Sequence, residues 1–150
     1  MADTTRDSDR RMGVGRFSVQ MDVSNHHDEL RAQDGVIPVT EVRRARVSGV
    51  VDTRAARLVL PGSVARTLGL PETGKTTVRY ADGRRDEKAV VGEVQLEIQG
   101  RRGVFSAVVE PARTDALVGA IVLEELDFLA DSTRQALVPR DPNVLVTELD

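Results

Sequence analysis

Alternating apolar and polar positions mark two strands in this chain. Between residues 93 and 99, apolar residues alternate with glutamate and glutamine, the apolar ones being Val94, Leu96 and Ile98. A similar alternation runs through residues 16–23, with Phe17, Val19, Met21 and Val23 on one face. Because successive side chains of a strand point to opposite faces, both segments are predicted to be half-buried β-strands.

Shorter apolar runs predict further strands. These cover residues 42–51, 75–80 and 104–109, and the strand that contains Val94, Leu96 and Ile98 is predicted to span residues 86–98. Residues 136–139 and 144–146 are candidates for the last two strands. Turn residues separate several of them, including Ala81-Asp82-Gly83 and residues 100–103. Many short strands with regular turns favour a mainly β fold, closed or sandwiched.

Two short helices are predicted. Gly62-Ser63 precedes a segment in which Val64 and Leu68 lie one helical turn apart, and Gly69 ends it. Residues 121–126 form the second helix, and we expect the acidic residues around its end, Glu124, Glu125 and Asp127, to be solvated.

The periodicity stops between the first two strands. Residues 24–28 include the adjacent His26 and His27, and residues 29–38 show no alternation. Adjacent residues on a strand point to opposite faces, and histidines that share a helix face are four residues apart, so this pair is not predicted to bind metal. We expect solvated histidines in a loop, followed by a connector.

Composition narrows the class of protein. Of 150 residues, 40% are hydrophobic and only 3% aromatic, so aliphatic side chains must fill the core. We expect one domain over residues 14–150, and a disordered tail over the polar residues 1–13. There is no cysteine, which excludes disulfides and thiolate sites, and no cofactor or metal is predicted.

Charge and hydropathy bear on location and partners. No signal peptide or run of membrane-spanning length is visible, so we expect a cytoplasmic protein without membrane contact. The net charge of −3 argues against a nucleic-acid partner. Arg43, Arg44 and Arg46 are a basic cluster that fits either a nucleic-acid contact or the solvent side of a sheet. The absence of interleaved aromatic residues favours the sheet.

One carboxylate stands between two apolar runs. Val50 and Val51 precede Asp52, and the apolar run 58–60 follows. Such runs are typical of strands buried on both faces, where a carboxylate must be hydrogen-bonded, paired with a charge or protonated. Asp52 is therefore a candidate functional residue. The alternative is that it only caps the following turn by accepting a backbone N–H.

The segment Val50-Val51-Asp52-Thr53-Arg54-Ala55 resembles the active-site turn of retropepsin-like aspartic peptidases. That turn reads apolar-apolar-Asp-Thr/Ser-Gly-Ala, so Arg54 stands where the family has glycine. Tyr80-Ala81-Asp82-Gly83 resembles the tip of the family's flap hairpin. The segment 116–120, with Leu117, Val118 and Gly119, resembles the second family signature. The resemblance covers about residues 14–140.

The resemblance implies a small closed, β-barrel-like fold with one or two short helices, and an aspartic endopeptidase acting on polypeptides. Because the chain has a single Asp-Thr turn, the two catalytic carboxylates would come from a homodimer, with Asp52 of each copy at the two-fold axis and Thr53 as a brace. Tyr80, Ala81, Asp82 and Gly83 would form the substrate-binding flap. Leu117, Val118 and Gly119 would support the turn from behind.

Arg54 leaves two functions open. A guanidinium that reaches Asp52 favours the charged carboxylate and removes the proton that the pair must share. A guanidinium that points outward leaves the Arg54 N–H in place and preserves activity. The first case predicts an inactive dimer that binds peptides or regulates, and the second predicts a peptidase.

Overall fold

The computed structural model describes residues 16–149, so the predicted tail, residues 1–13, lies outside the described residues. The strands are β1 Arg16–Asn25, β2 Arg44–Asp52, β3 Leu58–Pro61, β4 Glu72–Arg79, β5 Arg85–Ile98, β6 Arg101–Glu110, β7 Ala116–Val118, β8 Phe128–Asp131 and β9 Ala136–Pro139. The α-helices are α1 His26–Gln33, α2 Gly62–Leu68 and α3 Ala120–Leu126, and Val39–Glu41 forms a 3₁₀ turn.

Six strands close into a barrel. They follow the order β1-β2-β7-β3-β6-β5, and β5 pairs back onto β1. The β2–β7 and β3–β6 pairs are parallel and the others are antiparallel. β4 pairs with the outer part of β5, and β8 and β9 form a separate hairpin. The prediction of a small, closed, mainly β fold is confirmed.

The strand β5 belongs both to the barrel and to a projecting hairpin. Its pairing with β6 shifts between Val91 and Val94, and Glu93 has a φ of 61° there. Such a bulge bends the strand. Residues before the bulge pair with β4, and those after it pair with β1. The β4–β5 hairpin is thereby carried away from the barrel wall.

Aliphatic side chains fill the barrel, as the low aromatic content requires. The alternation in β5 is confirmed, since Val94, Leu96 and Ile98 are all buried. In β1 the residues Phe17, Met21 and Val23 are buried, and Val19 packs partly buried against the same core. The predicted face of each strand is therefore the one that forms the core.

The predicted loop at residues 24–28 is wrong, since α1 begins at His26. The Asn25 side chain caps this helix by accepting the Asp28 N–H at 3.0 Å, and it also donates to the Leu68 carbonyl at 2.9 Å. His26 Nδ1 lies 2.9 Å from Gln95 Oε1. The helix has no apolar stripe. Its cap and its polar contacts stabilise it instead. Periodicity therefore could not reveal it.

The C-terminal end also differs from the prediction. β8 was not predicted, and residues 144–146 form no strand. Side-chain bonds hold this segment instead, since the Val146 N–H donates to Asp127 Oδ2 at 3.0 Å. Asp127, expected to be solvated, is buried and pairs with Arg140 Nε at 3.1 Å. Glu124 and Glu125 are exposed, as predicted.

The basic cluster on β2 and just before it is exposed, as expected for the solvent side of a sheet. Arg43 Nε lies 2.8 Å from Asp28 Oδ2, and Arg44 Nη2 lies 3.0 Å from Glu29 Oε1. Two of the three arginines therefore bind acids of α1. Within residues 16–149, no helix is long and apolar enough to cross a membrane. The same part of the chain holds no cluster of three or more side chains suited to a metal ion.

Candidate active site

Asp52 is the last residue of β2 and opens a tight turn. It is only 5% exposed. The Arg54 backbone N–H donates to Asp52 Oδ1 at 3.0 Å, and the Ala55 N–H donates to the Asp52 carbonyl oxygen at 3.1 Å. Thr53 and Arg54 are exposed at the tip of the turn. The carboxylate therefore caps its own turn, as the simpler interpretation predicted, and is buried beneath it.

Two arginines also bind the Asp52 carboxylate. Arg16 lies directly opposite Asp52 in the β1–β2 pair, and its Nε and Nη2 lie 3.1 Å and 3.0 Å from Oδ2. Arg54 Nε lies 3.4 Å from Oδ1. The Arg54 side chain is 73% exposed and that of Arg16 is 42% exposed. Arg54 thus combines both possibilities that the sequence raised, since its N–H stays in place and its guanidinium also reaches the acid.

The pKa of Asp52 reflects these contacts. Burial alone would raise it, because a poorly hydrated carboxylate disfavours its charge. The Arg54 N–H, the Arg16 charge and the hydrogen bonds from both guanidinium groups oppose burial, and together they hold the pKa of Asp52 below its ordinary value. In a single protomer Asp52 is therefore ionised at neutral pH, and it accepts protons rather than donating them.

The second signature lies directly behind the turn. β7 pairs with β2 so that Leu117 and Val118 lie beside Val50 and Val51. The N–H groups of Ala120 and Ile121, at the start of α3, donate to the carbonyls of residues 55 and 56 at 2.8 Å and 3.0 Å. These bonds fix the far side of the turn.

Gly119 is required by the same contact. A Cβ at Gly119 would lie 2.5 Å from the Arg57 carbonyl oxygen and 2.6 Å from the Arg57 nitrogen. Both are backbone atoms, so they cannot move without displacing the turn. The structure therefore brings Leu117, Val118 and Gly119 against the Asp52 turn.

The predicted flap, residues 80–83, forms the tip of the β4–β5 hairpin. The Tyr80 N–H donates to the Arg84 carbonyl at 2.8 Å, and Gly83 takes a φ of 87°, which glycine adopts without strain. The Asp82 carboxylate accepts the Arg84 N–H at 2.9 Å, and the Arg84 guanidinium lies 4.4 Å from the Tyr80 ring centre. Ala81 lies exposed in this turn.

An ion-pair network ties the tip to the end of β6. The Tyr80 hydroxyl donates to Glu110 Oε2 at 2.6 Å, and Lys88 Nζ lies 3.1 Å from Glu110 Oε1. Burial would raise the pKa of Glu110, but the Tyr80 and Lys88 bonds outweigh it and lower that pKa. Donation to the carboxylate raises the pKa of Tyr80. The hairpin is thus bound to the barrel through its tyrosine.

Two open clefts flank the turn. One of about 420 Å³ lies between residues 55–57 of the turn and residues 78–80 of the hairpin. The other, of about 580 Å³, lies beside Thr53, along α3 and residues 146–148. Asp52 itself lines neither cleft. The turn, the hairpin and Leu117 therefore meet at one cleft, whereas the carboxylate stays beneath the turn.

Sequence reasoning missed Arg16 and Glu110. Arg16 carries a weak signal, because it begins the first predicted strand and an antiparallel partner would set it opposite the end of β2. Glu110 directly follows the predicted strand 104–109, and it is 30 residues from Tyr80. No local pattern links those two, since the pairing of β5 with both β4 and β6 brings them together.

No protein-family model matches the chain, and no curated protein matches it significantly. The resemblance to retropepsin-like peptidases therefore rests on the three segments quoted above and on where they lie in this fold.

Proposed function

We propose that the chain is a retropepsin-like aspartic endopeptidase that acts as a homodimer, with one Asp52 from each copy at the two-fold axis. The observation that carries the proposal is the Asp52 turn. Asp52 is 5% exposed, and its carboxylate accepts the Arg54 N–H at 3.0 Å. The turn borders a cleft that is also lined by residues 78–80 of the β4–β5 hairpin.

Dimerisation follows from the chemistry. Hydrolysis by carboxylates needs one group to take a proton while the other gives one, and two such groups about 3 Å apart share a proton. The partners of Asp52 within residues 16–149 are arginines, not a second acid. A two-fold axis supplies an identical acid because it brings the same patch of both copies together. Thr53 is exposed at the tip of the turn, and in the proposed dimer it would contact the partner's turn.

The reaction uses both carboxyl groups. The ionised Asp52 takes a proton from water as the water oxygen bonds to the peptide carbonyl carbon, and the protonated Asp52 gives its proton to the carbonyl oxygen. When this intermediate collapses, the first group protonates the nitrogen, the C–N bond breaks, and one hydroxyl returns a proton to the second group. The products are a carboxylic acid and an amine, and both carboxyl groups recover their starting states.

Arg54 sets the pH at which this happens. Its N–H serves the carboxylate as the N–H of a glycine would, and its side chain is mostly exposed. Repulsion between two carboxylates raises the pKa of one of them, which opposes the effect of the arginines. Activity is therefore expected in mildly acidic solution.

Two measurements test the proposal. Sedimentation should find a dimer, and the dimer should cleave an unfolded casein-like polypeptide at mildly acidic pH. Asp52→Asn should dimerise without cleaving. A strict monomer, or cleavage that persists in Asp52→Asn, would contradict the proposal.

The ion pairs on Asp52 favour a second function, a dimeric peptide-binding or regulatory module. A carboxylate bound by two guanidinium groups stays charged and is a poor general acid. If the wild-type dimer binds unfolded peptides, and neither it nor Arg54→Gly cleaves them at any pH from 3 to 8, the module is the better description.

A further inference from the structure

The cleft between the turn and the hairpin has an apolar floor and a basic rim. Its floor is aliphatic, formed by Val59, Val78, Val108 and Leu117. Its charged lining residues are Arg57, Arg79, Arg113 and Glu110. A long polypeptide segment that fits this surface must offer apolar side chains to the floor and a compatible charge at the rim.

The basic residues come from three separate parts of the chain. Arg57 belongs to the turn before β3, Arg79 ends β4, and Arg113 follows β6. Helical or strand periodicity cannot set three arginines from such different segments around one opening. The pairing of β3 with β6 and of β5 with β6 and β4 brings them there.

These charges are unequally neutralised. Arg57 Nη2 donates to Ser106 Oγ at 3.1 Å, and among residues 16–149 no carboxylate pairs with Arg57 or with Arg79. Arg113 binds Asp115 Oδ1 at 3.0 Å. The one acid of the rim, Glu110, is paired with Lys88 at 3.1 Å and accepts the Tyr80 hydroxyl. The rim is therefore positive at neutral pH.

We propose that this cleft selects acidic polypeptide segments, with glutamate or aspartate bound by Arg57 and Arg79 and aliphatic neighbours on the floor. The proposal rests on the function proposed above, and it names the substrate class of that site. Arginine suits this role because its planar guanidinium binds a carboxylate through two parallel N–H groups. Arg57 belongs to the turn and Arg79 to the end of β4, and both line the cleft, so an acidic segment bound by both would also link the hairpin to the barrel.

Direct binding tests this selection without any need for cleavage. Fluorescein-labelled ten-residue peptides of Val, Leu and Ser would carry two Glu, two Gln or two Lys at the same positions. Fluorescence polarisation would measure their binding to Asp52→Asn protein at 50 mM salt. We expect the Glu peptide to bind about fivefold more tightly than the Gln peptide, and the Lys peptide to bind most weakly.

Matched variants locate the effect. The double variant Arg57→Gln and Arg79→Gln should bind the Glu and Gln peptides equally. Arg85→Gln is the control, because Arg85 lies opposite Arg79 in the same hairpin but does not line the cleft. It should keep the preference. Raising the salt to 1 M should abolish the preference in both the parent and the control, since exposed charges are then screened.

The outcomes separate this inference from the proposed function. Equal binding of the Glu and Gln peptides, no binding of any peptide, or a preference that survives the double variant would overturn the inference, provided that circular dichroism shows the variants folded. A clear Glu preference in a protein whose wild type cleaves neither peptide would support the inference and count against the peptidase.

Discussion

Asp28 and Asp52 are both buried aspartates bound by arginine, yet their surroundings differ. Asp28 accepts Arg43 Nε, Arg43 Nη2 and the Arg43 backbone N–H at 2.8, 3.1 and 3.1 Å, so a single residue satisfies it. Asp52 is bound by Arg16 from another strand and by Arg54 from its own turn. Both carboxyl groups have a lowered pKa. Burial, arginine pairing and pKa therefore do not distinguish a structural acid from a candidate catalytic one.

The two sites differ in how the arginine on each carboxylate is packed. Arg43 packs against Gly69, where any Cβ would overlap its guanidinium, and it fastens α1 to the start of β2. Arg54 has a side chain that is 73% exposed at the tip of a turn, with a cleft on either side of that turn. Asp28 thus pairs with an arginine that packs between two elements, whereas one of the two arginines on Asp52 is mostly exposed. The comparison predicts opposite phenotypes for the two sites.

The largest effect is expected from Asp52→Asn. If Asp52 is half of an acid–base pair, this change should lower the rate of polypeptide cleavage by about 10³-fold or more, because the amide neither accepts nor donates the required proton. Asp28→Asn is the matched change at the other site, and it should leave the rate per folded molecule unaltered. Initial rates on a casein-like substrate, normalised to folded protein, measure both. Equal losses of rate in the two variants would contradict the distinction.

The next effect concerns Gly119, the glycine behind the Asp52 turn. Gly119→Ala puts a methyl group 2.5 Å from the Arg57 carbonyl oxygen, so the turn must shift, and we expect a loss of about 3 kcal/mol in the free energy of unfolding. Urea unfolding measures it. Gly74→Ala is the control, since a Cβ there meets nothing within 4 Å. If Gly119→Ala is as harmless as Gly74→Ala, the close support of the turn by Gly119 is wrong.

The sequence could predict the longer barrel strands, β1, β2, β5 and β6, because each carries its own signal. The alternations of β1 and β5 and the turn at Asp82-Gly83 are local. α1 was missed because an asparagine cap and an ion pair with Arg43, 15 residues from Asp28, stabilise it in place of an apolar stripe. Asp127 was predicted to be solvated for a similar reason. The arginine that pairs with its buried carboxylate, Arg140, follows the β8–β9 hairpin and is not marked by any local pattern.

Some residues of the candidate site could likewise be predicted from the sequence, and others could not. The buried Asp52 and its turn followed from two flanking apolar runs, and Leu117 to Gly119 followed from a resemblance. The contacts of Arg16 and Glu110 depend on strand pairing and register, which one sequence does not specify. The parts of the site that one segment encodes could be predicted, and the charges contributed by other strands could not.

A smaller effect is expected at the ion pair between Asp28 and Arg43. Asp28→Ala leaves Arg43 without its acid and removes the acceptor of a backbone N–H, which should cost about 2 kcal/mol in the free energy of unfolding at pH 7. Glu29→Ala removes the neighbouring and more exposed partner of Arg44 and should cost about 0.5 kcal/mol. Urea unfolding compares the two. A larger loss in Glu29→Ala would show that Asp28 does not fasten α1.

The smallest change is expected in the pH profile of Arg54→Gly. Because the pKa of Asp52 is lowered on folding, its stabilising contribution is present above the unfolded pKa and is lost as the pH falls through the folded pKa. Removing the guanidinium raises the folded pKa, so the protonated form that the proposed peptidase needs becomes populated at higher pH. The optimum for cleavage should therefore move upward.

Arg54→Gln separates the charge of Arg54 from its backbone effect. The glutamine variant removes the charge and keeps a side chain, so it should shift the optimum in the same direction as glycine. Arg46→Gln, an exposed change on the same strand, should leave the optimum in place. If only Arg54→Gly shifts the profile, backbone freedom at residue 54 sets the pH optimum, and the charge of the guanidinium does not affect it. If all three variants shift it equally, the long-range field of the protein is responsible, and Arg54 has no special hold on Asp52.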